Sequence, residues 1–349
     1  MQINSNGVYC IEYLDIHQKP LTQLIEENGI DVLFIACVQY FGKYQELRDV
    51  KCRTICVIHD LAYEEMFTNS MDYYFKLINP KYKWGEVNKS PWYCVNTLKI
   101  VKWIVDVRRK HSFESGLSLM KPVLSLLRKN EYARIVTVSE FTRNSLSYQY
   151  GVEPKKCMVL YSPERIYANL SEKVHNQELA ELIDSRRKYY LMLSANRNSK
   201  NPNKAIKAFK RYAEGHKDSF FVVVGFPGKT IDNMVKLPYL DDSDLVLALQ
   251  HCYALVYPTF FEGFGYPAIE AMHYGKPVLA SYATSLPELL EDAPMWFSPI
   301  YETEIYSAFT KLTRDNYQFF AEKSTRQYEK IHLRQEKDLN VILNMILNI

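Results

Sequence analysis

The residues best suited to chemistry lie in one stretch, Ala254 to Ser281, which reads as strand, loop, helix, strand. Pro267 suits a first helical turn, where its missing N–H costs nothing. Gly275 suits a left-handed helix end. The loop Glu262-Gly263-Phe264-Gly265 therefore sits at a helix N-terminus, where two glycines let backbone N–H groups approach an anion and the helix dipole favours negative charge. Glu270 falls about one turn into the helix and can accept hydrogen bonds from hydroxyls such as those of a ribose. Packing alone also produces Gly-rich strand–helix loops, so on spacing alone both readings stand.

The elements that must position this stretch are short apolar runs at Val32–Cys37, Thr54–Ile58, Ile135–Val138, Tyr189–Leu193, Phe220–Val224, Ala254–Tyr257 and Pro277–Ala280. Continuous β-branched runs predict strands buried on both faces, and the helical patterns between them predict βαβ units and an α/β fold. In open α/β sheets, ligands bind at the carboxyl ends of strands, where the Glu262 loop lies. The polar stretch between about 163 and 188 predicts two domains, residues 1–165 and 166–349. The tail from 316, with Ile331, Leu339, Ile342, Leu343 and Ile346 at helical spacing, is expected to lie across both.

Composition narrows the class. The 349 residues suit two cores, and 47% hydrophobic and 24% charged residues exclude wholesale disorder. Lys+Arg 43 against Asp+Glu 40 is too balanced to mark a nucleic-acid binder. No apolar run reaches the roughly 18 residues of a membrane span, and the start has no basic and apolar regions of a signal peptide. Seven scattered cysteines lack zinc-ligand spacing and read as free thiols in a reducing cytoplasm. Gly225-Phe-Pro-Gly-Lys-Thr230 lacks the first glycine of a phosphate-binding loop. Asp242-Ser243-Asp244 reads as a helix N-cap rather than a metal motif, and no GxGxxG supports a nicotinamide enzyme.

Several segments together resemble family 4 retaining glycosyltransferases, which have the GT-B fold. Glu262 and Glu270 stand in that family's Glu-x7-Glu pattern. ARIVTVSEFTRNSL (133–146), YGVEPKKCMVLYSP (150–163), LMLSANRNSKNPNKAIKAF (191–209) and the 278–299 segment with SLPELLEDAPMWFSP resemble its other conserved-looking stretches, in order, over roughly residues 30 to 300. The resemblance implies two Rossmann-like domains facing across a cleft, with Glu270 on the donor's ribose and Glu262 near the donor sugar and phosphates. It implies amides of Gly263, Phe264 and Gly265 facing the donor, and Lys200 neutralising the diphosphate. Lys200 precedes Asn201-Pro202, which reads as a helix cap and first turn, so a cation and a helix N-terminus would converge on one anion. His59 matches the histidine that faces the donor sugar, although a lone histidine at a strand end is more often a satisfied core residue. Departures are Ser194 where the family has Gly, Ser199 where it has Arg, with Arg197 as a substitute, Ser162-Pro163 for Asn-Gly, and no Gly-Gly loop before Asp31.

The implied reaction is metal-free transfer, with retention, of a sugar from a nucleoside diphosphate (GDP-mannose or similar) to a saccharide or lipid-linked acceptor of a cell-surface polysaccharide. A GT-B protein that binds sugar nucleotides without transfer, and a sugar-nucleotide epimerase, are the alternatives. Residues 98–129 hold eight Lys/Arg against Asp106 and Glu114, interleaved with Trp103, Phe113 and aliphatic residues. That pattern suits either amphipathic helices packed on their own sheet or peripheral attachment to an anionic membrane, here the inner face of the cytoplasmic membrane; no nucleic-acid partner is expected.

Overall fold

The computed structural model describes residues 2–3, 9–10, 19–38, 41, 43–62, 120–168 and 170–347. Most of the basic stretch at 98–129 therefore lies outside the described residues. A short antiparallel pair, β1 (Gln2–Ile3) and β2 (Tyr9–Cys10), stands apart from two parallel sheets.

The first sheet runs β3 (Val32–Ile35), β4 (Arg53–Ile58), β5 (Ala133–Thr137), β6 (Cys157–Val159), all parallel and in chain order. The alternation along β4 divides its side chains between two cores. Cys56 and Ile58 pack with Leu21 and Ile25 of α1 (Leu21–Glu27) and with Val123, Leu124 and Leu127 of α2 (Met120–Lys129). Ile55 and Val57 face the opposite way, into the large core shared with the rest of the chain. After β5, Ser139 caps α3 (Glu140–Tyr150) by accepting from Thr142 N, and Gly151 ends that helix in the left-handed conformation.

The second sheet holds six parallel strands: β7 (Lys188–Met192), β8 (Ser219–Val224), β9 (Met234–Leu237), β10 (Ala254–Tyr257), β11 (Val278–Ser281) and β12 (Met295–Phe297). Their spatial order is β12-β11-β10-β7-β8-β9, so chain direction across the sheet reverses between β7 and β10. That reversal opens a crevice at the carboxyl ends of these two strands. On one face lie α5 (Pro202–Ala213) and α9 (Glu302–Lys311), packed around Phe209, Phe221 and Phe309. On the other lie α4 (Gln177–Asp184), α6 (Asp242–His251), α7 (Tyr266–His273), α8 (Leu286–Leu290) and part of α10 (Arg314–Leu347).

All seven apolar runs form strands. Five strands were not anticipated: the two-residue pair β1 and β2, and, in the parallel sheets, β6, β9 and β12, which are sheet edges of three or four residues, where one side is open and a continuous apolar run is not required. The polar stretch after Pro163 is not wholly irregular: Asn176 caps α4, which buries Leu179 and Leu182. The cap of α6 is Asp241, one residue before the expected triplet. Its carboxylate accepts from Asp244 N at 2.9 Å, while Asp244 accepts from His175 N and Asn176 N and ties α4 to α6.

The 34-residue α10 lies across both sheets, and only part of the expected stripe faces in: Ile331 and Ile342 are buried and Ile346 packs against the core. Leu339 and Leu343 are exposed. The buried positions are Ser324, Gln327, Ile331, Gln335, Asp338 and Ile342. Gln327 donates to Leu289 O and Gln335 to Ser162 O, both at 2.7 Å. Asp338 accepts from Tyr161 N at 2.8 Å and from Arg334. The two amide N–H groups and the carboxylate bond to backbone of the last turn of α8 and of the segment after β6, so polarity here marks an inner face. Near its end, Met345 O accepts from Arg53 of β4 at 2.9 Å. Among the described residues no helix is long and apolar enough to cross a membrane.

Candidate active site

Lys200 ends a single 3-10 turn after β7 and is buried. Its ammonium forms an ion pair with Glu262, donates to the Tyr257 hydroxyl at 3.2 Å, and lies 5.0 Å from that ring's centroid. Burial and the Glu262 charge push the Tyr257 phenol well above its usual range, which keeps it a neutral hydrogen-bonding partner. The sequence suggested a lysine free to meet an anion; the fold holds it against a carboxylate. Asn201 occupies the cap position of α5 with φ 57°, yet its side chain donates to Pro299 O at 2.8 Å and does not cap the helix. Pro202 starts the helix as expected.

Glu262 follows β10 on the other side of the crevice. Its amide donates to Thr284 Oγ1 at 2.9 Å and its carbonyl accepts from Ser285 Oγ at 2.9 Å. That amide is thus engaged with the turn before α8 and is not offered to a ligand. The Phe264 side chain is buried against Tyr161 with ring centroids 5.5 Å apart, which leaves only its backbone to the crevice. Gly265 caps α7 with φ 88°, and a β-carbon there would meet Leu286 Cδ2 at 2.5 Å, so both conformation and space require glycine. Gly275 closes α7 with φ 63°; its N–H reaches Met272 O while Lys276 N reaches Ala271 O.

Glu270 lines a cavity of about 590 Å³ with Pro163, Ser194, Val224, Leu240 and Asp242. Apolar walls with a few converging polar groups suit a small organic ligand. Burial raises the Glu270 carboxyl above its usual range, while the Tyr167 hydroxyl, donating at 2.7 Å, and the Arg165 charge pull it back. Ser194, standing where glycine was expected from the resemblance, has φ 56° and shows why glycine suits that position. Arg197 is exposed, near enough for its charge to oppose the rise of Tyr257.

His59 comes from the other sheet, just after β4. Its Nε2–H donates to Ala36 O at 2.8 Å, which orients the ring. Its carbonyl accepts from Thr142 Oγ1 at 3.2 Å and abuts the glutamate loop: a β-carbon on Gly263 would fall 2.1 Å from His59 O. Two further contacts cross here. Glu288 accepts from Glu140 N and Phe141 N at 2.8 and 3.0 Å, capping α3 from the opposite domain, and the Phe141 and Phe261 rings meet edge-on at 5.8 Å. The fold thus gathers His59, Lys200, Glu262 and the Gly263–Gly265 loop around one crevice, with Glu270 in the adjoining cavity and Arg197 on the rim. Tyr257, Tyr167 and Glu288 were not anticipated; tyrosine and glutamate are too common for their types to single them out.

Residues 175–330 match the family described as Glycosyl transferases group 1. The O-antigen chain mannosyltransferase RfbU of Salmonella typhimurium is 27% identical over 190 residues, 51% of this chain and 50% of that protein. The O-antigen chain mannosyltransferase B of Escherichia coli is 46% identical over 63 residues, 18% of this chain and 16% of that protein. The chain therefore spans half or less of the length of these relatives. Among solved structures, a glycosyltransferase from Rickettsia africae superposes with TM-score 0.60 and 15% identity, covering 97% of this chain and 84% of that one. HepE of Anabaena, solved with UDP and glucose, gives 0.60 and 12%, covering 94% and 82%. These likenesses establish the GT-B fold, two Rossmann-like domains across a cleft.

Proposed function

We propose that this chain, whose residues 175–330 match the glycosyl transferases group 1 family, moves a hexose from a nucleoside-diphosphate sugar to a saccharide or lipid-linked acceptor. The observation that carries the reading is the Lys200–Glu262 pair, set between the starts of α5 and α7 and opposite His59. The diphosphate docks at these helix N-termini and draws the Lys200 ammonium from Glu262 onto the phosphate, aided by Arg197. Amides of Gly263, Phe264 and Gly265 face the donor, Glu270 accepts from its ribose hydroxyls, and His59 faces the sugar. The anomeric C–O bond to the β-phosphate breaks, and the acceptor oxygen bonds to the same face of the sugar. The leaving phosphate takes the acceptor's proton, and charge growing on it is stabilised by donors already in place.

The relatives' names, both mannosyltransferases of O-antigen chains, favour GDP-mannose as donor and a cell-surface polysaccharide as product. Lys200 and two helix N-termini supply the positive potential, so transfer proceeds without a metal. The basic segment at 98–129 attaches the protein to the anionic inner face of the cytoplasmic membrane. Incubation with radiolabelled GDP-mannose, UDP-glucose, ADP-glucose and dTDP-rhamnose tests the donor: slow hydrolysis of one, abolished in Lys200→Ala and indifferent to EDTA, is expected. Tight nucleotide binding with no hydrolysis or transfer would favour a binding protein. Cosedimentation with anionic but not neutral vesicles at low salt, lost when Arg108, Arg109 and Lys110 become Glu, tests the attachment.

A further inference from the structure

The segment joining the two sheets passes directly over the cavity. Between Pro163 and Tyr167 it is pinned at three points. Glu164 accepts from the Tyr328 hydroxyl at 2.7 Å and pairs with His273 and His332. Arg165 pairs with Asp242 at 2.7 Å. Tyr167 donates to Glu270 Oε1 at 2.7 Å, with the Arg165 guanidinium 4.8 Å from its ring centroid. Glu270 lines the cavity and Tyr167 does not, so the phenol buttresses the carboxylate without filling the space beside it.

We infer that Tyr167 is a positioning residue: its hydroxyl fixes the Glu270 carboxylate in the orientation that receives the donor's ribose. This rests on the ribose role proposed for Glu270. A carboxylate on one side of a cavity has a free rotamer unless something holds it, and a bond to one oxygen leaves the other to accept from the ligand. The bond also acts on charge. The groups facing Glu270 are Tyr167, Arg165 and Glu164 of the connecting segment, Asp242 of α6, Tyr257 of β10, and Tyr266 and Tyr274 at the two ends of α7. Burial, Glu164 and Asp242 favour the neutral acid; Tyr167 and Arg165 favour the carboxylate. A protonated Glu270 presents an O–H in place of an acceptor and binds ribose poorly. Because Tyr167 belongs to the connection between domains, ribose recognition and the placement of that connection are tied together.

Tyr167→Phe keeps the ring over Arg165 and removes only the hydroxyl. Calorimetric titration with GDP, UDP, ADP and dTDP, following the tightest from pH 8 to pH 5, is the test, with inorganic pyrophosphate as a ligand without ribose. In the variant the nucleotide should bind roughly tenfold more weakly, the usual scale for a hydrogen bond to a charged group. Its affinity should begin to fall at a higher pH than in the wild type, because the Tyr167 bond favours the carboxylate. Pyrophosphate should bind as before. Unchanged nucleotide affinity and pH dependence would overturn the inference, as would tighter binding, which would make the phenol a competitor of the ribose. An equal loss for pyrophosphate would mean general damage and overturn it too. Glu270→Ala separates the two levels. If that variant loses nucleotide affinity and Tyr167→Phe does not, only the role of Tyr167 falls; if it keeps full affinity, the ribose reading falls as well.

Discussion

Replacing Gly263 with alanine tests whether the arrangement seen across the cleft is the reactive one. The added β-carbon would lie 2.1 Å from His59 O, 3.0 Å from His59 C and 3.0 Å from Asp60 Cβ. The nearest of these atoms is backbone, so no side chain can swing aside. An ordinary contact begins near 3.4 Å, so the loop and the end of β4 must separate by about 1.3 Å. The cheapest separation opens the cleft, since the two surfaces belong to different domains. Overpacking of this kind costs about 1–3 kcal/mol, which is roughly a 5- to 150-fold bias against the closed form. A displacement of about 1 Å in a reacting geometry can also cost roughly 100-fold in rate. The expected outcome is a folded protein that binds nucleotide nearly as well as the wild type and transfers or hydrolyses the labelled donor 10- to 100-fold more slowly, on the scale of those two effects. Gly215→Ala is the control, because nothing lies within 4 Å of its added carbon. Wild-type turnover in Gly263→Ala would refute the reasoning. A matched loss of nucleotide affinity would instead place the damage in the loop itself.

Lys200→Met should destabilise the fold by about 3–5 kcal/mol, because it leaves Glu262 buried without its partner. Combining it with Glu262→Gln should recover most of that in urea melts and still give no turnover; a single variant as stable as the wild type would contradict the pairing. Glu270→Gln should melt at a higher temperature than the wild type at pH 7.5, with the gap closing toward pH 4. The folded-state pKa of this carboxyl is raised, so the folded protein binds its proton more readily than the unfolded chain does, and the cost of ionising it appears as pH rises through that value. A gap that widens in acid would refute the assignment. Ser194→Gly should stabilise by about 1 kcal/mol in denaturant titrations, since φ 56° strains a residue with a β-carbon; any loss of stability would show that the serine side chain offsets the strain.

Much of this architecture is legible in the chain. Runs such as Phe220–Val224 and Ala254–Tyr257 are buried on both faces and advertise themselves by continuous apolarity. Pro267 and Gly275 bracket α7 because proline is pre-set for a first turn that needs no N–H from it and glycine accepts the left-handed conformation that ends the helix. The misread side chains share a cause: their partners are distant in sequence. Asn201 has the right type for a cap, but Pro299 O, nearly a hundred residues on, claims its amide. Lys200 pairs with Glu262 across the crevice, and Tyr167 finds Glu270 103 residues away. The crossing helix misleads most. Its aliphatic residues Leu339 and Leu343 face out, while Gln335 and Asp338 face in, because what they meet is unpaired backbone at Ser162 and Tyr161 and not a greasy sheet.

That crossing helix also bears on how the protein is made. Ile55, Val57, Val136 and Val138 of the first sheet share a core with Ile342, and Val341, Met345 and Ile346 pack against it. Arg53 finds Met345 O across 292 residues of chain. During synthesis, at roughly 5–20 residues per second, the first domain emerges early and then waits with one apolar face unclosed until the ribosome has passed residue 346. Contacts of such long sequence separation slow folding, and an uncovered sheet face in that interval invites association with other chains. A nascent chain stalled near residue 310 should therefore bind a holdase chaperone through its first domain. The same domain released with α10 complete should not.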